Sequence, residues 1–325
     1  MNDTNAPYLA IAEAMGSSLS PLARGEGQDT AMTVAPTDLA ILAAPVTRKG
    51  GLRTYVRRHP TMVVGAVLLG LMVLMAIFAP YLGTVDPQAL SPIRRLRWPS
   101  AQYWFGTDML GRDIYSRTVY GARVSLTVGI SVALLASGIG LVIGLVTGFS
   151  RWTDAIGMRI MDGLMSIPGI LIAIALMALT RASLENVIIA ITVADTPRVA
   201  RLVRGVVLTL RELPFVEAAH ASGTGFFRIL WRHILPNTVP PLLVQGTFVA
   251  ASAMIVEAIL SFLGAGTPPN IPSWGNIMAE GRSLFQVAYY IVFFPGAFLS
   301  ITVLAMNLLG DGLRDALDPR LARRM

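Results

Sequence analysis

The sequence holds no cysteine, a single lysine (Lys49) and three scattered histidines, His59, His220 and His233. The first absence excludes disulfides, thiolate nucleophiles and cysteine-ligated metals, and the histidine spacing offers no metal cluster. A Walker phosphate loop needs Gly-Lys followed by Ser or Thr, so that backbone amides and the ammonium hold the phosphates. Lys49 follows Arg48, so the chain has no Gly-Lys pair. It is therefore not expected to hydrolyse nucleotide itself, nor to carry a catalytic residue, a metal or a bound cofactor. Charge is scarce as well. Only 14% of residues are charged, against roughly 25% in a soluble globular domain, which argues against an ordinary water-soluble enzyme. What the chain has instead is 54% hydrophobic residues and a mean hydropathy of +0.62. The 26 basic and 19 acidic residues give a net charge of +7. In a soluble protein that balance would point to nucleic acid; here basic residues gather beside the cytoplasmic ends of membrane spans, and no nucleic-acid partner is expected.

Charge-free runs mark five spans: Met62 to Ala79, Val124 to Ser150, Gly163 to Thr180, Ile234 to Val256 and Ser283 to Gly310. Each is long enough to cross about 30 Å of hydrocarbon. A sixth, at about residues 186 to 206, is interrupted by Asp195, Pro197, Arg201 and Arg204, and Pro197 is expected to break the helix nearby. The two arginines would then snorkel at its cytoplasmic end. Six spans put both termini on one side. With the N-terminus inside, 18 basic residues fall in cytoplasmic segments and 8 outside, which favours cytoplasmic N- and C-termini.

Residues 1–50, rich in Ala, Pro, Thr, Ser and Gly, read as a disordered cytoplasmic tail. They do not read as a secretory signal, because no short apolar region precedes residue 62. Residues 51–120 then form an uncleaved anchor helix and an external loop, residues 121–312 the transmembrane core, and residues 313–325 a cytoplasmic tail.

The largest cytoplasmic loop, about residues 211–236, carries Glu217-Ala218-Ala219, then Gly223, then Ile234-Leu235-Pro236. Arg211 to Ala221 reads as a short helix, and Gly223 supplies the positive φ of a sharp reversal. Phe226, Ile229, Leu230, His233 and Ile234 then fall on one face of a second helix. Ala218 and Ala219 would let another protein approach the backbone closely. Of the intramembrane carboxyls, Glu257 reads either as a cavity-lining or gating group or as an interhelical hydrogen-bond partner. Asp195 is ambiguous, and Asp162 is expected to cap the third span or pair with Arg159. Asp108 reads as an N-cap rather than a cation ligand, and Trp274 as an interfacial tryptophan in a turn.

The order Glu-Ala-Ala, Gly223, Ile-Leu-Pro resembles the cytoplasmic signature of ABC-importer permeases. Further blocks resemble the dipeptide, oligopeptide and nickel branch of that family: Phe105-Gly106-Thr107-Asp108, Gly111-Arg112-Asp113, Tyr120 to Leu126, Ser261-Phe262-Leu263-Gly264, Pro272 to Asn276, and Asn307 to Asp315. The pattern departs from the family at Ala194-Asp195-Thr196-Pro197, where relatives carry an aromatic residue near the proline. The resemblance implies an all-α inner-membrane permease of the type I importer fold. It implies a sibling permease, two ATPase subunits that use the ATP, an external solute-binding protein, and a peptide or related solute, such as a nickel chelate, as cargo. Glu217, Ala218, Ala219, Gly223, Leu235 and Pro236 would form the loop that docks on the ATPase. A self-powered secondary transporter is the alternative, and would be expected to show paired broken helices; no paired repeat is visible.

Overall fold

The structure, a computed structural model, describes residues 59–317. The expected N-terminal tail lies outside the described residues, as do residues 318–325. Among the described residues there is no strand, only an isolated bridge between Thr107 and Asp113. Among the described residues, nine helices carry the fold: α1 (Pro60–Ile77), α2 (Ile114–Phe149), α3 (Arg151–Met165), α4 (Gly169–Leu179), α5 (Leu184–Arg211), α6 (Pro214–Ala221), α7 (Phe226–Phe262), α8 (Trp274–Gly281) and α9 (Tyr290–Leu317).

Four of them, α1, α2, α7 and α9, are long and apolar enough to cross a membrane, and the bent pair α3–α4 brings the number to five. α1 starts at Pro60, whose missing N–H costs nothing at a first helical position. It buries only Gly65 and Ala76 while Val64, Val67, Leu71, Leu74 and Ile77 stay exposed, as a lipid-facing helix does. α2 has 36 residues, about 54 Å at the helical rise and well beyond the hydrocarbon thickness. Its cap is Asp113, which accepts from the Ser116 backbone N–H at 2.8 Å. Asp108, expected as the cap, instead closes a tight turn by accepting from the N–H groups of Leu110 and Arg112.

Two spans differ from their sequence reading. The run Gly163 to Thr180 is not one helix: α3 and α4 meet at Ser166–Pro168 with an 87° bend, because the residue before a proline is pushed out of the helical region. Conversely, Pro197 does not end α5, which continues through it for 28 residues. Tertiary packing outweighs the lost hydrogen bond: Val187, Ala190, Ile191, Val199, Val203 and Val207 of α5 are all buried. At the far end, α9 stays helical from Asp311 to Leu317, so the expected tail at residue 313 begins inside a helix.

The tightest seam lies between α2 and α5. Gly140, Gly144 and Gly148 face Val199, Val203 and Val207, and a Cβ added at each glycine would lie 2.6–2.7 Å from a valine Cβ. Two ion pairs tie α3 to α5, Arg204 with Asp154 and Arg201 with Asp162. Gly144→Leu should therefore overpack the seam, at a cost of about 1–3 kcal/mol or more, and lower the yield of monodisperse protein on size-exclusion chromatography. Gly138→Leu on the same helix, where a Cβ meets nothing within 4 Å, should leave the yield unchanged. Equal yields would show that the seam does not hold the pair.

Candidate functional site

α5 stops at Arg211, and a turn at Glu212 and Leu213 leads into α6, which starts at Pro214 rather than at Arg211 as the sequence reading had it. Proline suits the first helical position and cannot extend the preceding helix. Val216 is buried and anchors α6 in the core, and Ala219 packs partly against it. Glu217, Ala218, His220, Ala221, Ser222 and Gly223 are exposed.

The helix ends in a left-handed cap. Ser222 N–H donates to the Ala218 carbonyl (3.0 Å), Gly223 N–H to His220 (2.9 Å) and Thr224 N–H to Ala219 (3.0 Å). Gly223 has φ +73°, and a Cβ there would meet nothing within 4 Å. The constraint is thus backbone conformation, about 1–2 kcal/mol for a residue with a Cβ, and not space.

α7 then enters the membrane. Ile229 and Ile234 are fully buried, whereas Phe227 and Trp231, four apart, are 81% and 75% exposed. Leu230–Ile234 form a π turn, which widens the helix just before Pro236, where the ring would otherwise crowd the carbonyl four residues back. Leu235 is half-buried there and Pro236 exposed. The reversal is fastened to the end of α2: the Phe149 ring meets Phe226 edge-on at 4.4 Å and lies 6.3 Å from His220. Glu217, Ala218, Ala219 and Gly223 thus share one exposed reversal, with Leu235 and Pro236 on the helix that leaves it.

The three intramembrane carboxyls lie on three different helices. Glu257 is fully buried on α7; its Oε1 accepts from Ser261 Oγ at 2.8 Å, and Ser261 is linked in turn to Thr267, whose hydroxyl donates to Ser273. Oε2 has no hydrogen-bond partner among the described residues. Asp195 is buried on α5, 3.6 Å from Arg198, with Oδ2 unpartnered among the described residues. Asp162 pairs not with Arg159 but with Arg201 of α5, at 2.5 Å. That partner is 39 residues away in sequence, out of reach of a local spacing rule. Trp274, expected at the interface, is fully buried and donates from Nε1 to the Thr118 carbonyl at 2.9 Å. Sequence reasoning also missed a charge group made of the buried Asp108, Arg112 and Arg117 with the half-buried Glu280. Its one sequence signal was Arg117 in the first turn of an apolar helix.

Helices too apolar for water, a broken span and a protruding small-residue turn define an integral membrane transport component. The comparisons narrow the class to a family. Residues 137–323 match the family described as binding-protein-dependent transport system inner membrane component, and residues 53–99 match the N-terminal TM domain of oligopeptide transport permease C. The chain is 53% identical to a probable peptide ABC transporter permease of Sinorhizobium fredii, over 82% of this chain and 92% of the relative. It is 42% identical to the dipeptide transport system permease of Alkalihalophilus pseudofirmus, over 82% and 88%. It is 41% identical to the glutathione transport system permease of Pectobacterium atrosepticum, over 87% and 97%. A chain of the inward-facing MetNI methionine ABC transporter shares the fold, with a TM-score of 0.52 at 22% identity, covering 62% of this chain and 96% of that one. The chain belongs to the family of binding-protein-dependent ABC permeases, multi-pass proteins of the bacterial inner membrane.

Glu257→Leu removes the acceptor of the Ser261 hydroxyl and leaves that buried donor without its partner. Leaving buried donors unmatched costs about 1–3 kcal/mol, so a lower apparent Tm is expected for the purified variant. An unchanged Tm would mean that this hydroxyl does not depend on the carboxylate.

Proposed function

We propose that this chain forms half of the translocation path of an ATP-driven importer of small peptides. It pairs with a sibling permease, two ATPase subunits and an external solute-binding protein. The relatives' names support the cargo class, and uptake assays with a dipeptide and with a nickel chelate separate the two solutes the sequence left open. Six crossings, with the charge-bearing α5 as the sixth, and cytoplasmic termini complete the reading. ATP is bound and hydrolysed by the partner subunits.

The observation that carries this reading is the exposed reversal at Gly223. Its outer surface is built from Ala218, Ala221 and Gly223, with Ala219 half-buried behind them, so a groove on another protein could close over the backbone. Its inner side is tied through Phe149 to α2, so displacement of the turn is passed to a helix that spans the molecule. Closure of the ATPase pair would push this turn and swing the spans from inward-open to outward-open, while the binding protein delivers solute from outside. Glu257 and Asp195 remain the polar groups nearest to a path role, Asp195 through its unpaired oxygen.

Gly223→Asp and Ala219→Arg are expected to abolish uptake and to reduce co-purification of the ATPase, while membrane insertion stays normal. Solute binding by the external partner should be unaffected, since that site lies on another protein. If both variants recruit the ATPase and import as before, the turn is not the coupling element.

A further inference from the structure

The short helix α8 is held at both ends by groups that the proposed function does not use. Near its C-terminal end, Glu280 accepts from Arg112 NH2 and Arg117 NH1 on Oε2, both at 2.5 Å, and from Arg117 NH2 on Oε1 at 3.0 Å. The same guanidiniums hold Asp108 Oδ2, Arg112 through Nε at 2.6 Å and Arg117 through NH1 at 2.7 Å. The side chains of Arg117 and Asp108 are only 1% and 2% exposed, whereas that of Glu280 is 30% exposed, so the contact it makes is shielded on the α2 side only. Two cations face two carboxylates, so the group is neutral, and paired guanidinium–carboxylate contacts are both strong and oriented. At the N-terminal end, Trp274 is bonded to the α2 backbone at Thr118. A Cβ on Gly275 would fall 2.7 Å from Ala258 Cα of α7. Asn276 donates to Thr267, which bonds Ser261 and so reaches Glu257.

A helix that swings as a gate needs contacts that can open without stranding charge. Lifting α8 away from α2 would leave Arg117 buried with one carboxylate in place of two, and removal of one partner from a buried ion group is among the costliest of local changes. The packing at Gly275 and the bond from Trp274 oppose the same motion from the other end. We propose that α8 is a fixed collar that travels with the outer end of α2 during transport, and that Glu280 is the positioning residue that keeps it there. Opening then occurs elsewhere, between this subunit and its neighbour. The inference rests on the importer reading, since it concerns what moves during the ATP-driven cycle.

The chain has no cysteine of its own, so an introduced pair is the only one in this subunit, and the complex without that pair, treated in the same way, sets the baseline. Gln88 Nε2 donates to the Asn270 carbonyl at 3.1 Å, bridging the external loop to the turn before α8, and both residues are exposed. Gln88→Cys with Asn270→Cys, bridged by a short bis-methanethiosulfonate in the assembled complex, pins this segment without touching the charge group. A fixed collar predicts that ATP hydrolysis is the same before bridging, after bridging and after reduction. Loss of hydrolysis on bridging, with recovery on reduction, would overturn the proposal. Glu280→Gln should raise the ATP hydrolysed per alanyl-alanine imported several-fold, with Glu280→Asp restoring the ratio at least in part. An unchanged ratio overturns the positioning role, whatever happens to the yield. An unmodified chain that recruits no ATPase would overturn the importer reading itself, and this inference with it.

Discussion

In lipid, apolar side chains gain little by burying against one another, so helices associate where their backbones come closest. In this chain that approach is the seam of Gly140, Gly144 and Gly148 against Val199, Val203 and Val207. The seam makes α2 and α5 one body, and much of the remaining structure is fastened to it. α3 joins α5 through the Asp154 and Asp162 ion pairs, and the core around α5 draws in α4 and α7. The close glycine face gives a helix carrying Asp195, Arg198, Arg201 and Arg204 an apolar seam to pack on.

The same α2 reaches both functional ends. Just past Gly148, Phe149 stacks against the α6–α7 reversal. At the opposite end, Arg117 and Thr118 meet α8. A helix of about 54 Å so anchored behaves as a strut: what moves one end is felt at the other. This gives the proposed coupling a physical route that requires no flexible relay. It also gives the two outer carboxylates, Glu280 and Glu257, a structural context in which neither needs to touch cargo.

Much of this was legible in the sequence, for identifiable reasons. Charge-free runs locate α1, α2, α7 and α9 because the cost of charge in lipid is a property of each residue alone. The positive φ at Gly223 and the apolar face of Ile229 and Ile234 are local, and both were readable. Two failures are local, the start of α6 at Pro214 and the capping of α2 by Asp113; the others are non-local or competitive. Pro197 sits inside α5 because the α2 packing outweighs the missing hydrogen bond, whereas Pro168, with no such packing, breaks its run. Asp162 finds Arg201 and Glu280 finds Arg117 across long sequence separations, and no spacing rule links them. Trp274 has the position of an interfacial residue, but its indole is taken by a backbone carbonyl on α2. The glycine seam was readable in principle, as three glycines four apart.

The most direct test of the central claim places a photo-crosslinking amino acid at Ala218, on the exposed face of the reversal, and a second at Gln88, in the external loop, in cells that express the whole transport system. The account predicts an ATPase adduct from Ala218 and none from Gln88. No ATPase adduct from Ala218, or equal adducts from both positions, would contradict it.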